Sequence, residues 1–302
     1  MVCEHRYRKI ACSFDNPRLY QCLTCGIIFN GGLPRNLDLK GLYKTYYKNE
    51  LGGRFNRGVE YIVRAFRFFR AFKIFTIYPG AKRILDIGSG RGFMLYYLKK
   101  YYRYTRTIGI QISKNAFDFS RNKLGLEIYD RDLLDLSLEE NSFDIITLWH
   151  VLEHLVDPER YIERIHSLLA AKGKLVIEVP NFSSWTRAMT GKYWLGLDPD
   201  YHVNFFTPEI LSSLIKKHGF TIKTTHTFSL EYSVFISVQS LVSMVTRTNH
   251  IFFRSLQARG VTRHLLLHAL LFILLAPFCL FINLLLYYSG RGEVLLIIAE
   301  KA

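Results

Sequence analysis

Between residues 81 and 220, short apolar runs alternate with stretches whose apolar residues recur at helical spacing. The runs predict strands at Arg83–Ile87, Thr107–Gln111, Leu126–Tyr129, Phe143–Trp149 and Lys174–Val179. Phe93–Tyr101 follows the first strand as a predicted helix. Asp157-Pro158 opens another, with Tyr161, Ile162, Ile165, Leu168 and Leu169 on one face, and Thr207-Pro208 opens a third with Ile210, Leu211, Leu214 and Ile215. Gly173 and Gly219 are the expected stops. This alternation predicts a parallel sheet covered on both faces. Phe220–Phe228 and Glu293–Glu300 alternate as a sixth and a seventh strand, with more than sixty residues between them.

That insertion holds Leu265–Tyr288, 24 residues without a formal charge. The length suffices to cross a bilayer, but two strands of one sheet bracket the insertion, so the chain must leave and return on the same side. Pro277 divides the segment into Leu265–Ala276 and Phe278–Tyr288, arms of about 17 Å each, which predicts a re-entrant or interfacial helical hairpin. Arg254, Arg259 and Arg263 precede the segment and Arg291 follows it, so charge does not orient a crossing. Val234–Val245 is a second apolar patch that can lie alongside. A buried helix pair or a dimer interface is the soluble alternative.

Upstream, Asn56–Ile77 reads as a helix on which Arg64, Arg67, Arg70 and Lys73 recur every third residue, with Phe66, Phe69 and Phe72 on a neighbouring line. Such a helix either lies on an anionic membrane or packs beside the first strand with a solvated basic edge. The formal charge of +15 over 302 residues points to an anionic partner surface: nucleic acid, acidic lipid or a phosphorylated substrate. The first residues contain no apolar core of signal-peptide length, so the expected start is cytosolic. Four of the five cysteines fall within the first 25 residues, which in a reducing compartment favours metal over disulfides. Cys22-Leu-Thr-Cys25-Gly26 is a knuckle able to place two thiolates on zinc, with Cys3, His5 and Cys12 as candidates for the other two ligands; Cys3 and His5 are the pair taken forward.

The first strand runs into Asp86-Ile-Gly88-Ser-Gly90-Arg-Gly92. Glycines spaced by two at a strand-to-helix turn allow sharp bending and close approach of a ligand, and Asp86 adds an acceptor. Phe93 stands where a dinucleotide fingerprint needs its third glycine, and a phosphate loop's Gly-Lys-Ser/Thr ending is absent. The turn resembles the first motif, D-x-G-x-G-x-G, of class I S-adenosylmethionine (SAM) dependent methyltransferases. The resemblance extends over about 81–229 plus 293–300. It implies an α/β, Rossmann-like seven-stranded sheet with an antiparallel last strand, here carrying a hydrophobic helical insertion between strands six and seven. The corresponding units are a zinc-binding module at 1–30, a linker and basic helix at 31–80, the methyltransferase domain at 81–232 plus 292–302, and a membrane-associating insertion at 233–291. The cysteine segment resembles a small module that precedes some sugar C-methyltransferases.

The same resemblance implies site residues. Asp86, Gly88, Gly90 and Gly92 would hold SAM; Gln111 would meet the ribose hydroxyls where the family usually has an acidic residue; Asp132 would reach the adenine amino group, with Leu133 beside the ring. Trp149-His150-Val-Leu-Glu153-His154 would end the fourth strand beside the transferable methyl. Tyr201-His202-Val-Asn-Phe-Phe resembles a signature of envelope-associated members, in a loop-rich run after strand five that caps the acceptor. His202 is the first choice for deprotonating the acceptor and His150 the second, with Glu153 and His154 as further catalytic candidates. The implied activity is O- or C-methylation of a sugar, glycolipid, lipid-linked or isoprenoid acceptor by an enzyme held on the inner membrane face through 265–288. An RNA methyltransferase is the alternative raised by the charge and the cysteine knuckle, although no recognised RNA-binding motif is present and no nucleic acid is expected as a partner. A non-catalytic membrane-tethered protein of this fold is a third, raised by Gln111.

Overall fold

The computed structural model describes residues 8–13, 18–33, 57–248 and 265–302. In chain order the elements are β1 (Arg8–Ser13), β2 (Arg18–Cys22), β3 (Ile28–Asn30), α1 (Arg57–Ile77), β4 (Arg83–Ile87), α2 (Phe93–Tyr101), β5 (Arg106–Ile110), α3 (Lys114–Leu124), β6 (Glu127–Tyr129), β7 (Phe143–Trp149), α4 (Pro158–Leu168), β8 (Leu169–Pro180), α5 (Trp185–Thr190), β9 (Asn204–Phe205), α6 (Pro208–Lys217), β10 (Phe220–His226), α7 (Ser233–Thr246), α8 (Leu265–Leu285) and β11 (Val294–Lys301). Seven strands form one sheet in the order β10-β11-β8-β7-β4-β5-β6, with β11 antiparallel to both neighbours and the other pairings parallel. Strand order reverses between β4 and β7, and open sheets of this kind bind ligands at the carboxyl ends of the strands flanking that reversal.

The expected apolar faces form the core. Tyr161, Ile162, Ile165 and Leu168 of α4 pack with Leu211, Leu214 and Ile215 of α6 on one side of the sheet; Ala71 and Ile74 of α1 pack with Met94, Leu95 and Leu98 of α2 on the other. Asp157 and Thr207 cap α4 and α6 through their side chains. Several boundaries shift by one or two residues, and the largest change is at α4, which ends at Leu168 rather than at Gly173. Leu169 is fully buried and pairs with Phe143, so β8 begins there and completes the sheet, with a bulge that takes Lys172 to positive φ before pairing resumes at Lys174.

The N-terminal strands do not stand apart. β1, β2, β3 and β9 make a second, antiparallel sheet; the Asn30 side chain donates to the Pro199 carbonyl at 2.9 Å, and the Asn30 amide donates to Val203 at 2.9 Å. β3 is thereby stitched to the segment that caps the main sheet. Cys3 and His5 lie outside the described residues. Cys22 is buried, and its sulfur accepts the amides of Thr24 and Cys25 at 3.4 and 3.5 Å.

The insertion differs from the expected hairpin split at Pro277. α8 is one continuous helix through Pro277, and its partner is α7. Asn283 of α8 donates to Ser237 of α7 at 2.8 Å, and Cys279 packs with Val238, Leu241 and Val242. A proline removes one hydrogen bond of a long helix, whereas this contact orders a whole face, and the face wins. Only 17% of Leu267–Leu285 is buried. Leu270, Ile273, Leu274, Phe278, Phe281 and Leu285 form its open side. Arg254, Arg259 and Arg263 lie outside the described residues.

α1 turns its basic row inward. Arg67 and Arg70 converge on Glu231 at 2.6 and 2.5 Å, the Arg70 guanidinium lies 4.2 Å from the centre of the Trp149 ring, and Lys73 Nζ is 3.3 Å from His226 Nε2. The aromatic line, with Phe69 and Phe72, is what solvent meets.

Glu293, immediately before β11, joins the insertion to the cap. It is fully buried and accepts from Thr186 Oγ1 at 2.6 Å and Trp194 Nε1 at 3.3 Å. Burial pushes its pKa up to about 7 against the pull of these hydrogen bonds. A raised carboxyl pKa means that the folded chain holds a proton the unfolded chain has released, so this contribution is present below the unfolded value and is lost as pH rises through about 7. Glu293→Gln should therefore flatten the stability profile and gain up to roughly 3 kcal/mol over the parent at pH 8. Thermal melts of both proteins from pH 5 to pH 8 check this; parallel curves would refute it.

Candidate active site

The glycine-rich turn joins β4 to α2, with positive φ at Gly88, Gly90 and Gly92. At Gly88 the requirement is also spatial, because a Cβ would stand 2.3 Å from Val151 Cγ2. Glycine is what lets the turn meet the segment leaving β7. The amides of Gly88 and Ser89 both donate to the Ile110 carbonyl, at 2.9 and 3.0 Å, pinning the turn to β5 instead of leaving those two donors for a ligand. Arg91, inside the turn, is paired with Glu60 of α1.

Asp86 is buried and accepts from Thr147 Oγ1 at 2.6 Å. Burial raises its pKa to about 6, opposed by Thr147, Arg70 and Arg67. Gln111 is buried too, and its side-chain oxygen accepts the Ser113 amide at 2.9 Å. The acceptor end of Gln111 is engaged in holding the start of α3, so its amide donors are the polarity it offers a hydroxyl. Asp132 accepts the Leu134 amide at 2.8 Å and the Tyr161 hydroxyl, and Leu133 beside it is buried. Asp86 near the end of β4, Gln111 just past β5, and Asp132 and Leu133 past β6 thus lie at the carboxyl ends of three adjacent strands, and these polar groups fit a cofactor laid across them.

The segment after β7 is the most charged part of the interior. His150 has φ 54° and lies between two carboxylates: Nε2 is 3.2 Å from Glu178 Oε1, and Nδ1 is 3.4 Å from Glu153 Oε1. Burial alone would lower its pKa, but the bonds to Glu153 and Glu178 override this and push it up to about 10. For Glu178, burial is likewise overridden by His150, and the carboxyl drops to about 2. His150 is therefore an imidazolium at neutral pH and has no lone pair with which to take a proton.

The neighbouring histidines are of the other kind. His154 Nδ1 lies 2.9 Å from the Tyr201 carbonyl, and His202 Nδ1 lies 2.9 Å from the Gly196 carbonyl. A carbonyl only accepts, so each Nδ1 carries a hydrogen. Burial lowers His154 to about 4. The two rings stand 4.8 Å apart, and ligand atoms of Glu153, His154 and His202 all fall within 4.8 Å of one another. The Glu153 side chain is 2% exposed, its oxygens accept no hydrogen bond among the described residues, and it is ion-paired with His150 Nδ1 at 3.4 Å. Two imidazoles beside a buried carboxylate are residue types that can abstract a proton or hold a divalent cation. Among the described residues this is the group with such geometry; it does not include Cys22 or Cys25.

Sequence reasoning missed Glu178, Tyr232 and Arg70. Glu178 had a signal, a lone charge in the apolar run Leu175–Val179. Tyr232, whose ring is 4.1 Å from His150, had none.

Residues 60–225 match the family model described as "Methyltransferase domain". The ubiquinone biosynthesis O-methyltransferase of Coxiella burnetii is 29% identical over 150 residues, 46% of this chain and 63% of that protein. The match thus spans less than two thirds of that relative's length. The demethylmenaquinone methyltransferase of Thermotoga maritima is 26% identical over 176 residues, 51% of this chain and 77% of that one. Among solved structures, a SAM-dependent methyltransferase from Archaeoglobus fulgidus superposes with a TM-score of 0.50 at 22% identity, covering 87% of this chain and 100% of that one. The glycine turn at the strand-order reversal, the antiparallel β11 and the family match over 60–225 together make this chain a member of the class I SAM-dependent methyltransferase family.

Proposed function

We propose that the protein transfers the methyl group of SAM to an oxygen or carbon of a lipid-linked or isoprenoid acceptor at the cytoplasmic membrane face, with glycolipids and sugars as the wider class. The open apolar side of α8 is the observation that carries the membrane-borne acceptor. The names of the two relatives, both quinone methyltransferases, favour an isoprenoid-tailed ring among the acceptors. The inward turn of Arg67, Arg70 and Lys73 removes the basic face that an RNA reading would use.

SAM supplies an electrophilic methyl, so the chain's task is to align the acceptor and remove its proton. Asp86, Gly88, Gly90, Gly92, Gln111, Asp132, Leu133 and Trp149 are assigned to SAM. His202 is assigned as the base, its tautomer set by Gly196, and His154 stands beside it in the same tautomer. His150 is assigned to positioning: its charge holds Glu153, and Glu153 lies beside His154 and His202. Should a divalent cation occupy Glu153, His154 and His202, it would lower the pKa of a hydroxyl acceptor and leave the fold of the site unchanged.

His202→Ala should cut turnover on the order of a hundredfold or more while leaving SAM binding by calorimetry intact. An equal loss of SAM affinity would remove His202 from acceptor chemistry. For the proton inventory, Glu178→Gln should drop the His150 pKa from about 10 toward the ordinary histidine range, bringing a new ionisation between pH 6 and 9 into the rate profile. A profile superimposable on the parent's would show that Glu178 does not hold that proton. The acceptor class is tested in the cell: lipid extracts of a deletion strain should lack a species heavier by one methyl that the parent gene restores and His202→Ala does not. If the restored species is found in RNA instead, the acceptor reading fails.

A further inference from the structure

α1 carries its charges on the side opposite to that of an ordinary surface helix. Its outward row, at spacings of three and four, is Tyr61, Ile62, Ala65, Phe68, Phe69 and Phe72, and every one of these is exposed. Tyr61 is 71% exposed, Phe69 55% and Phe72 51%. Along this row the polar groups are the Tyr61 hydroxyl and, one turn past Phe72, the Thr76 hydroxyl, which donates to the Lys73 carbonyl at 2.8 Å. The neighbouring helix extends the patch, since the rings of Tyr97 and Tyr101 lie 5.5 and 6.0 Å from Phe68. Beyond the tyrosines comes a cationic rim. Lys99, Lys100 and Arg103 are exposed, and Lys100 Nζ sits 5.3 Å from the Tyr101 ring centre.

Phenylalanine and isoleucine at the centre, tyrosine around them and lysine at the margin is the layering of an interface between hydrocarbon and anionic headgroups. No carboxylate stands among these residues, and a rim of one sign complements phosphate-bearing lipid. A second apolar face emerges close by. His226 meets Lys73 of α1 at 3.3 Å and stacks on Tyr287, just past α8, at 4.7 Å, so the end of α8 comes within one side chain of α1.

We infer that the aromatic row of α1, rimmed by Lys99, Lys100 and Arg103, seats on an anionic bilayer surface as a contact separate from α8. The inference extends the membrane reading above and rests on it for the acceptor only. The inner side of the same helix meets the glycine turn through Glu60 and Arg91 and meets Trp149 through Arg70. A seated α1 therefore holds the cofactor turn one helix diameter, roughly 10 Å, below the headgroups. An amphiphile can present its polar head at that depth while its tail stays in the bilayer.

The test places a tryptophan at each face of the full-length protein, Phe69→Trp and, separately, Phe281→Trp. Emission is read on phosphatidylcholine vesicles containing phosphatidylglycerol, with brominated acyl chains as quencher and the parent's own tryptophans as background. The inference expects Phe69→Trp to shift to the blue and lose at least half of its added emission. Quenching of Phe281→Trp alone overturns it and leaves α8 as the bilayer contact. If neither is quenched, both contacts fall. Quenching at Phe69 alone upholds the α1 contact and takes α8 out of the bilayer. A dimer in light scattering that Phe69→Glu dissolves, with Phe69→Trp unquenched, would assign the row to a second copy of this chain and overturn the lipid.

Discussion

Two buried carboxylates meet one imidazole at its two ring nitrogens, and much of this site follows from that arrangement. Glu153 and Glu178 are each 2% exposed, and His150 reaches both. Leaving either charge alone in the interior costs several kcal/mol, more than the roughly 1–3 kcal/mol of holding a non-glycine residue in the left-handed region where His150 lies. The backbone repeats the connection, because the His150 amide donates to the Glu178 carbonyl at 2.8 Å. The carboxyl ends of β7 and β8 are locked as a pair.

What the clamp fixes, the surrounding segments use. Val203 donates its amide to the Glu153 carbonyl at 2.9 Å, which brings the capping segment, and His202 with it, over the turn after β7. The N-terminal sheet steadies that segment from outside through Asn30. On the opposite flank, Tyr232 lies against His150, and Glu231 beside it collects Arg67 and Arg70. The chain that leads into the apolar insertion thus begins in contact with the reacting region, and the helix that covers the cofactor turn is tied to the same residue pair. The fold couples its most apolar segment to its most charged one over two consecutive side chains.

The histidines of this region sit in different electrostatic surroundings. His150 lies between two carboxylates, which hold it protonated; burial lowers the pKa of His154, and the Nδ1 atoms of His154 and His202 each meet a backbone carbonyl. Imidazoles identical in composition differ here because their partners carry different charge.

The sequence alone determined what periodicity and local chemistry can express. The strand at Phe143–Trp149, the helix at Phe93–Tyr101, the caps at Asp157 and Thr207, the glycine turn and the late seventh strand were all legible, because each depends on neighbours along the chain. The motif pointed to Asp86, Gln111, Asp132 and Leu133, which the fold gathers at the carboxyl ends of β4, β5 and β6, although the engagement of the Gln111 oxygen by Ser113 was not legible. Tertiary structure alone decided the protonation of His150, which needs Glu178 from 28 positions away. It also decided the direction of the α1 arginines, which follow Glu231 rather than water, and the continuity of α8 through Pro277, which follows its contact with α7. In each case the deciding energy is the pairing of a buried polar group with a partner remote in sequence, and no local pattern records where that partner will be.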